Sequence, residues 1–412
     1  MAPPATLPAV LIFAATYLVL AVGRLPGFRV DRTGAAIIGA TLVVALNILT
    51  VPEAIDAINT DTIILLFGMM IVVANLRLSG IFALVTEWVI KNTHGPLVLL
   101  AAIVTVSGVF SAFFVNDTMC LVLTPLVLDI TTHLRRNPVP YLLAVAMASN
   151  IGSVATITGN PQNMLIGSFS GIPYRDFAAA LSPVAAVGLL VLIAMIALIY
   201  RREFLTAAPR VIIKPPPVRV HRALAWKSTI VSAGMIVFFF AGWPVSKVAL
   251  VAGALLLVTR RVKPERVYAQ IDWSLLVLFI GLFIIVRGVE KTSLSADLFA
   301  IASRLHLERP GVMSAFAAAL SNIVSNVPAV LVFRPFIPHL PDARHAWLTL
   351  AMSSTLAGNL TVLGSVANLI VLERARHKVR IGFWEYARVG VPLTVLTIAL
   401  GIFLLAKSPA AH

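Results

Sequence analysis

Two stretches of this 412-residue chain place amides, hydroxyls, glycine and proline inside otherwise apolar sequence. The first combines Ser111–Thr118 with Ser149–Asn163, and holds Asn116, Asp117, Thr118, Thr156, Gly159, Asn160, Pro161 and Asn163. The second combines Ser321–Pro328 with Ser353–Asn368, and holds Ser325, Asn326, Thr361, Gly364, Ser365 and Asn368. Proline has no backbone donor, so Gly159-Asn160-Pro161 loosens a helix and frees nearby carbonyls. A break at mid-depth also exposes the N–H groups of the following half-helix, whose positive end suits an oxyanion or a hydroxylated solute. The freed carbonyls, with Asn or Ser side chains, suit a cation. One small-residue pattern alone usually just packs helices closely. Here an Asn-tipped segment and a Gly-x-x-x-Asn break each occur twice, which points to a site. The substrate-binding candidates are Asn116, Thr118, Gly159, Asn160, Asn163, Ser325, Asn326, Gly364, Ser365 and Asn368.

Asp117 is the acid inside a tip motif, and its counterpart in the second tip is Val327. An ionisable group at membrane depth is costly, and a carboxyl held out of water there is a candidate proton carrier. Its bland alternative is a helix-capping carboxylate. Asp117, Asn116, Thr156 and Thr361 form the expected coupling-ion set. Other reactive side chains read as structural. Cys120 packs as a small hydrophobe, and a single cysteine excludes an internal disulfide. Arg334 snorkels beside His339, and Glu87 with Lys91 forms a surface pair. The eight His do not cluster at membrane depth, so no catalytic residue, metal or cofactor is expected beyond the coupling proton or sodium. Neither tip holds Lys or Arg, which favours a small, weakly ionised oxyacid.

The elements that must hold these residues follow from hydropathy. The chain is 59% apolar and 12% charged, with a mean hydropathy of +0.96, whereas soluble domains carry about 25% charged residues. Charge-free runs at Leu7–Val22, Gly34–Val51, Leu181–Tyr200, Ser228–Trp243 and Val391–Ala406 fit membrane spans. The first run is expected to be a membrane helix rather than a signal peptide. The net charge of +15 sits in short loops, which fits the positive-inside rule rather than nucleic acid. An all-α polytopic membrane fold in a lipid bilayer follows.

Three blocks repeat in order: 62–67 with 274–279, 110–118 with 320–328, and 146–163 with 351–368. Loop 51–61 has three acids and no base, while its mate 260–270 has four bases. Equivalent loops therefore lie on opposite sides, the charge signature of inverted repeats. The expected organisation is a first repeat over 1–200, a basic cytoplasmic linker over 201–227 and a second repeat over 228–412. Each repeat carries an interfacial segment (Ile81–Lys91; Ser293–Leu305), a re-entrant hairpin (about 97–134; 311–341) and an interrupted helix (139–170; 345–371).

These motifs resemble the ion transporter superfamily that includes ArsB-type arsenite efflux pumps, NhaD-type antiporters and divalent anion/sodium symporters. The likeness is to ArsB-related permeases that include plant silicon efflux transporters. It is carried by Gly-Asn-Pro-Gln-Asn at 159–163, Ser-Asn-x-x-Ser-Asn-Val-Pro at 321–328 and the run at 357–371. The resemblance implies a homodimer, a scaffold holding the interface and a transport domain moving as an elevator. In the symporter branch a Ser-Asn-Thr tip helps bind sodium and carboxylate; here the second tip has Val327-Pro328 instead of Thr. The ArsB-like branch implies proton antiport, which Asp117 suits. The expectation is thus a citrate transporter-like permease of the inner (plasma) membrane, exporting arsenite or silicic acid by proton coupling. The alternative is sodium- or proton-coupled uptake of an anion such as citrate, another dicarboxylate or sulfate.

Overall fold

A computed structural model describes residues 6–23, 27–82, 84, 85, 89, 95–205, 220–259, 262–292 and 305–407. The chain begins with α1 (Thr6–Val22), α2 (Arg32–Ala45), the short α3 (Val51–Asp56) and α4 (Thr60–Ser79). Asn47, at φ 52°, turns the chain off α2 and back into the protein. Thr50 and Glu53 form a reciprocal capping box on α3. Gly80 ends α4 at φ 82°, a left-handed conformation that a side chain disfavours. Next come α5 (Pro96–Phe113) and α6 (Asn116–His133), then α7 (Pro138–Ser153), α8 (Pro161–Ser170), α9 (Tyr174–Ile199) and α10 (Arg201–Leu205).

The rest of the chain comprises α11 (Arg222–Phe240), α12 (Val245–Leu257), α13 (Pro264–Tyr268) and α14 (Trp273–Glu290). It continues with α15 (Pro310–Val324), α16 (Asn326–Phe333), α17 (Ala343–Leu356), α18 (Val366–Ala375) and α19 (Phe383–Ala406). Among the described residues six helices, α4, α5, α9, α11, α14 and α19, are long and apolar enough to cross a membrane. Most of the interfacial segments at 81–91 and 293–305, with the Glu87–Lys91 pair, lies outside the described residues, as do 206–219 of the linker.

Polar contacts sort onto two faces. One gathers Arg136 with Glu203 (3.6 Å), Lys378 with Asp129 (3.2 Å) and Arg77 with Gln270 (2.6 Å). The other gathers Lys291 with Glu53 (2.6 Å), Arg334 with Glu290 (3.6 Å) and Arg344 with Asp176 (3.1 Å). The 20 residues of α4 separate these faces by about 30 Å, the thickness of a hydrocarbon core. The first face, where Arg201, Arg202, Arg374, Arg376 and Arg380 adjoin these pairs in sequence, is called the basic face below. Because α4 ends at Arg77 beside the start of α14, and α14 ends at Lys291 beside Glu53, the two helices run antiparallel. The α5–α6 hairpin opens toward the basic face, where Asp129 meets Lys378. The α15–α16 hairpin opens toward the other, where Arg334 meets Glu290.

At the centre lie α7 and α17. Every residue from Val139 to Ser153 is buried, as is every residue from Ala346 to Leu356. A helix apolar and buried all round belongs inside the protein, away from lipid. Contact there is backbone to backbone: a Cβ on Gly152 would lie 2.1 Å from the Gly108 carbonyl oxygen, and one on Gly390 2.2 Å from that of Asn359. Small residues permit such close approach without a hydrophobic driving force. By contrast α9 and α19 leave Leu190, Leu198, Val395 and Phe403 exposed, as lipid-facing helices do.

Candidate functional site

Both interrupted helices break in the same way. After α7, Thr156 is extended (φ −140°, ψ 165°), a 3-10 turn spans Ile157–Gly159, and Asn160 is extended again (φ −155°, ψ 163°) before α8. After α17, Ala357–Asn359 forms one 3-10 turn; Thr361 is extended (φ −135°, ψ 163°), Val362–Gly364 forms another, and Ser365 is extended (φ −147°, ψ 142°) before α18. Breaks free carbonyls that hydrocarbon cannot satisfy. Two asparagines satisfy them. Asn163 Nδ2 donates to the carbonyls of Ser153 and Thr156, both at 3.0 Å. Asn368 Nδ2 donates to those of Gly358 (2.7 Å) and Thr361 (3.1 Å). Asn160 and Ser365 cap the new half-helices, accepting from the N–H groups of Asn163 and Ala367. Gly159 fits because a Cβ there would lie 2.2 Å from the Ser153 oxygen.

The two breaks are then cross-bonded. Asn150, near the end of α7, donates to Asn359 (2.9 Å) and Asn368 (3.1 Å), and accepts from Asn116 (3.1 Å) and Ser365 (3.0 Å). Thr355, near the end of α17, donates to Asn163 (3.4 Å) and accepts from Asn160 (3.3 Å) and Gln162 (3.2 Å). Each helix therefore holds the break of the other. The tips join the same network. Thr156 donates to the Ala112 carbonyl, and Thr361 to Asn322 Oδ1 at 3.0 Å. With its amide nitrogen turned toward the carbonyls, Asn326 donates to Gly364 (3.2 Å) and Ser354 (3.3 Å) and accepts from Gln162. The central polar hub thus gathers Asn116, Gly159, Asn160, Asn163, Asn326, Gly364, Ser365 and Asn368. Ser325 sits at the turn between α15 and α16 with a strained φ of 79°.

Asp117 and Thr118 face elsewhere. They line a cavity of about 130 Å³ with Met70, Ala74 and Arg77 of α4, and with Gln270, Asp272 and Leu275 at the start of α14. Neither Thr156 nor Thr361 lines it, so the expected coupling set divides between chamber and hub. The Asp117 carboxyl lies near the N-terminus of α18 at Ala367, where a helix dipole favours negative charge, while the Ala367 N–H itself donates to Ser365 Oγ. Arg77 donates to Gln270 Oε1 at 2.6 Å, and Asp272 caps α14 through the Leu275 N–H at 3.0 Å. A volume of 130 Å³ is room for about four waters.

Asn150, Thr355, Asn322, Arg77, Gln270 and Asp272 were not among the sequence-derived site residues. Asn150 and Thr355 lie one residue past the repeated Ala-Met-Ala-Ser and Ala-Met-Ser-Ser blocks, and extending that alignment reaches them. Arg77 reads in sequence as a loop charge. Cys120 is buried, with Sγ 2.9 Å from Ser149 Oγ. Arg334 does more than snorkel, since its guanidinium lies 4.4 Å over the Phe169 ring while pairing with Glu290.

Comparison with known proteins agrees with this architecture. Residues 9–357 match the family described as citrate transporter. A 46 kDa membrane protein of Mycobacterium leprae is 32% identical, over 96% of this chain and 97% of its own length. A silicon efflux transporter of rice, Oryza sativa subsp. japonica, is 28% identical over 96% of each chain. Among solved structures, the YdaH transporter of Alcanivorax borkumensis superposes with a TM-score of 0.57 over 98% of both chains at 17% identity, which shows a shared fold.

Proposed function

The chain belongs to the citrate transporter family and is a multi-pass membrane transporter; we propose that it exchanges protons for a small, neutral, hydroxylated oxyacid such as arsenous or silicic acid. The observation that carries this is the chamber beside Asp117. It offers two carboxylates, one guanidinium, an amide and a hydroxyl around a space of about 130 Å³. A polyhydroxylated neutral acid needs both donors and acceptors, and this lining supplies both. A tricarboxylate meets two like charges there against the one guanidinium of Arg77. Each unit charge acts on a carboxylate 5 Å away with about 3 kcal/mol at an effective dielectric of 20, so the lining as a whole gives it no net attraction. The name of the rice relative is consistent with such a solute.

Coupling follows from competition. A charged Asp117 accepts strong, charge-assisted hydrogen bonds from solute hydroxyls. Once protonated it loses that strength, so proton and solute displace each other and outward solute flux follows inward proton flux. The same reading takes residues 1–200 and 228–412 as inverted repeats in the inner membrane, with linker 201–227 in the cytoplasm. The antiparallel α4 and α14, and hairpins opening on opposite faces, support it. The hairpins and interrupted helices would then move together against a scaffold of α1, α2, α4, α11, α12 and α14, within a homodimer.

Counterflow into proteoliposomes separates this reading from its rival. Vesicles preloaded with arsenite or silicic acid are expected to take up the same solute and to acidify when an outward solute gradient is imposed. Sodium-driven accumulation of citrate, with no oxyacid flux, would overturn the proposal.

A further inference from the structure

The hub and the chamber differ in what they leave available. The amide nitrogens of Asn150, Asn163 and Asn368 are committed to protein acceptors. Arg77 is the guanidinium among the chamber's lining residues. It sits in the last turn of α4, and the stretch from Met70 to Arg77 lets the chamber run about 10 Å along that helix. Gln270 takes one of its five N–H donors and fixes the planar head. Among the described residues Arg77 is in no ion pair, although Asp117 and Asp272 line the same chamber. Arg374, one turn beyond the lining residue Ile370, lies near enough to act electrostatically on Arg77. A second guanidinium there raises the positive potential at the basic end of the chamber.

Arg and carboxylate sharing a partly dehydrated cavity usually close on each other in a bidentate pair. Here Gln270 holds the guanidinium, while Asp117 sits at the N-terminal end of α18. The two charged groups therefore stay apart, each with hydrogen-bonding capacity left. A small solute between them would receive N–H donors on its oxygens from α4 and offer its hydroxyls to hairpin α5–α6.

We propose that Arg77, positioned by Gln270, is the oxygen-recognising half of a solute subsite whose other half is Asp117, shared between the α4–α14 scaffold and the first hairpin. The ligand class is a small oxyacid carrying at least two oxygens on one central atom. This rests on the oxyacid reading above. A subsite divided between two bodies also ties solute release to their separation, because moving the hairpin past α4 pulls its two halves apart.

Equilibrium binding of arsenite and of silicic acid to the purified full-length protein in detergent provides the test. Arg77→Gln is expected to weaken binding about 10- to 100-fold, the range for a lost hydrogen bond to a charged group. Arg77→Lys keeps the charge but loses the planar fork, and is expected to weaken binding about 5- to 10-fold. Gln270→Ala leaves Arg77 in place but unanchored, with an expected loss of about 3-fold. Wild-type affinity in Arg77→Lys and Gln270→Ala, in protein that elutes as a folded single species, overturns the assignment of Arg77 while leaving the oxyacid reading intact. No binding of either probe to the wild type overturns both.

Discussion

The two hairpin tips have the same frame and different chemistry. The first presents Asn116-Asp117-Thr118, with Asp117 and Thr118 lining the chamber shared with Arg77 and Asp272. The second presents Asn326-Val327-Pro328, with Val327 buried and the Pro328 carbonyl accepting from the Tyr17 hydroxyl at 3.1 Å. Its second arm is 8 residues long against 18 in the first, and Arg334 holds its outer end to Glu290 and Phe169. The asparagines, by contrast, do matching work in both halves. Both halves share what closes a broken helix in a membrane, because every freed carbonyl must find a donor wherever it lies. Charge carries no such requirement, and it differs: Asp117 stands at the first tip where Val327 stands at the second.

The hub is where the two halves can be compared most sharply. Asn150 makes four bonds to buried partners, while its counterpart Thr355 makes three longer ones. Asn150→Ala orphans groups on the second break and at the first tip and is expected to destabilise the protein by about 4 kcal/mol, at about 1–3 kcal/mol per stranded group with incomplete additivity. Thr355→Val, close to isosteric, is expected to cost about 2 kcal/mol. Thermal unfolding in detergent measures both. An Asn150→Ala protein as stable as Thr355→Val would mean that the hub is not organised through α7.

Asp117→Asn makes the first tip as neutral as the second. Proton-driven oxyacid efflux in proteoliposomes is expected to fall at least 10-fold, while solute-for-solute exchange persists, since an amide still accepts and donates hydrogen bonds. Unchanged proton coupling would remove the chemical distinction between the tips.

How far these features were legible in sequence depends on what carries them. Gly159-Asn160-Pro161 and the Gly-x-x-x-Asn spacing announce the breaks because backbone geometry is local. The Asn tips stand out because amides are rare in apolar sequence. The partners of those amides are another matter. Asn163 reads as a ligand in sequence, and nothing local says that its nitrogen closes its own helix onto Ser153 and Thr156. Arg77 and Gln270 are 193 residues apart, and both fall in segments whose charge already had an explanation in topology. Only the antiparallel meeting of α4 and α14 turns a loop arginine into a chamber wall. Sequence thus exposes the frame, which repeats, better than the chamber, which does not.

The smallest expected effect lies at the outer ends of that same helix pair. Glu53 and Lys291 join the loop before α4 to the end of α14, as Arg77 and Gln270 join them at the basic face. Lys291 and then Thr50 hold the exposed Glu53 carboxyl at about 2, below its ordinary 4.5. A carboxyl whose pKa is lower in the folded chain stabilises it at pH values above the unfolded pKa. That contribution declines as pH falls below about 4.5 and is gone once pH passes the folded value near 2. Being exposed at the surface and screened by salt, the pair contributes little, so the comparison must be differential. Wild type and Glu53→Gln, unfolded thermally in detergent at low ionic strength, are expected to differ by a small constant shift from pH 7 to 5. The shift then shrinks between pH 4.5 and 2. A gap that survives 1 M salt unchanged would show that Glu53 acts through the Thr50 capping box and not through α14. In that case the two ends of the α4–α14 pair are held differently, and only the basic end, at Arg77, fastens one helix to the other.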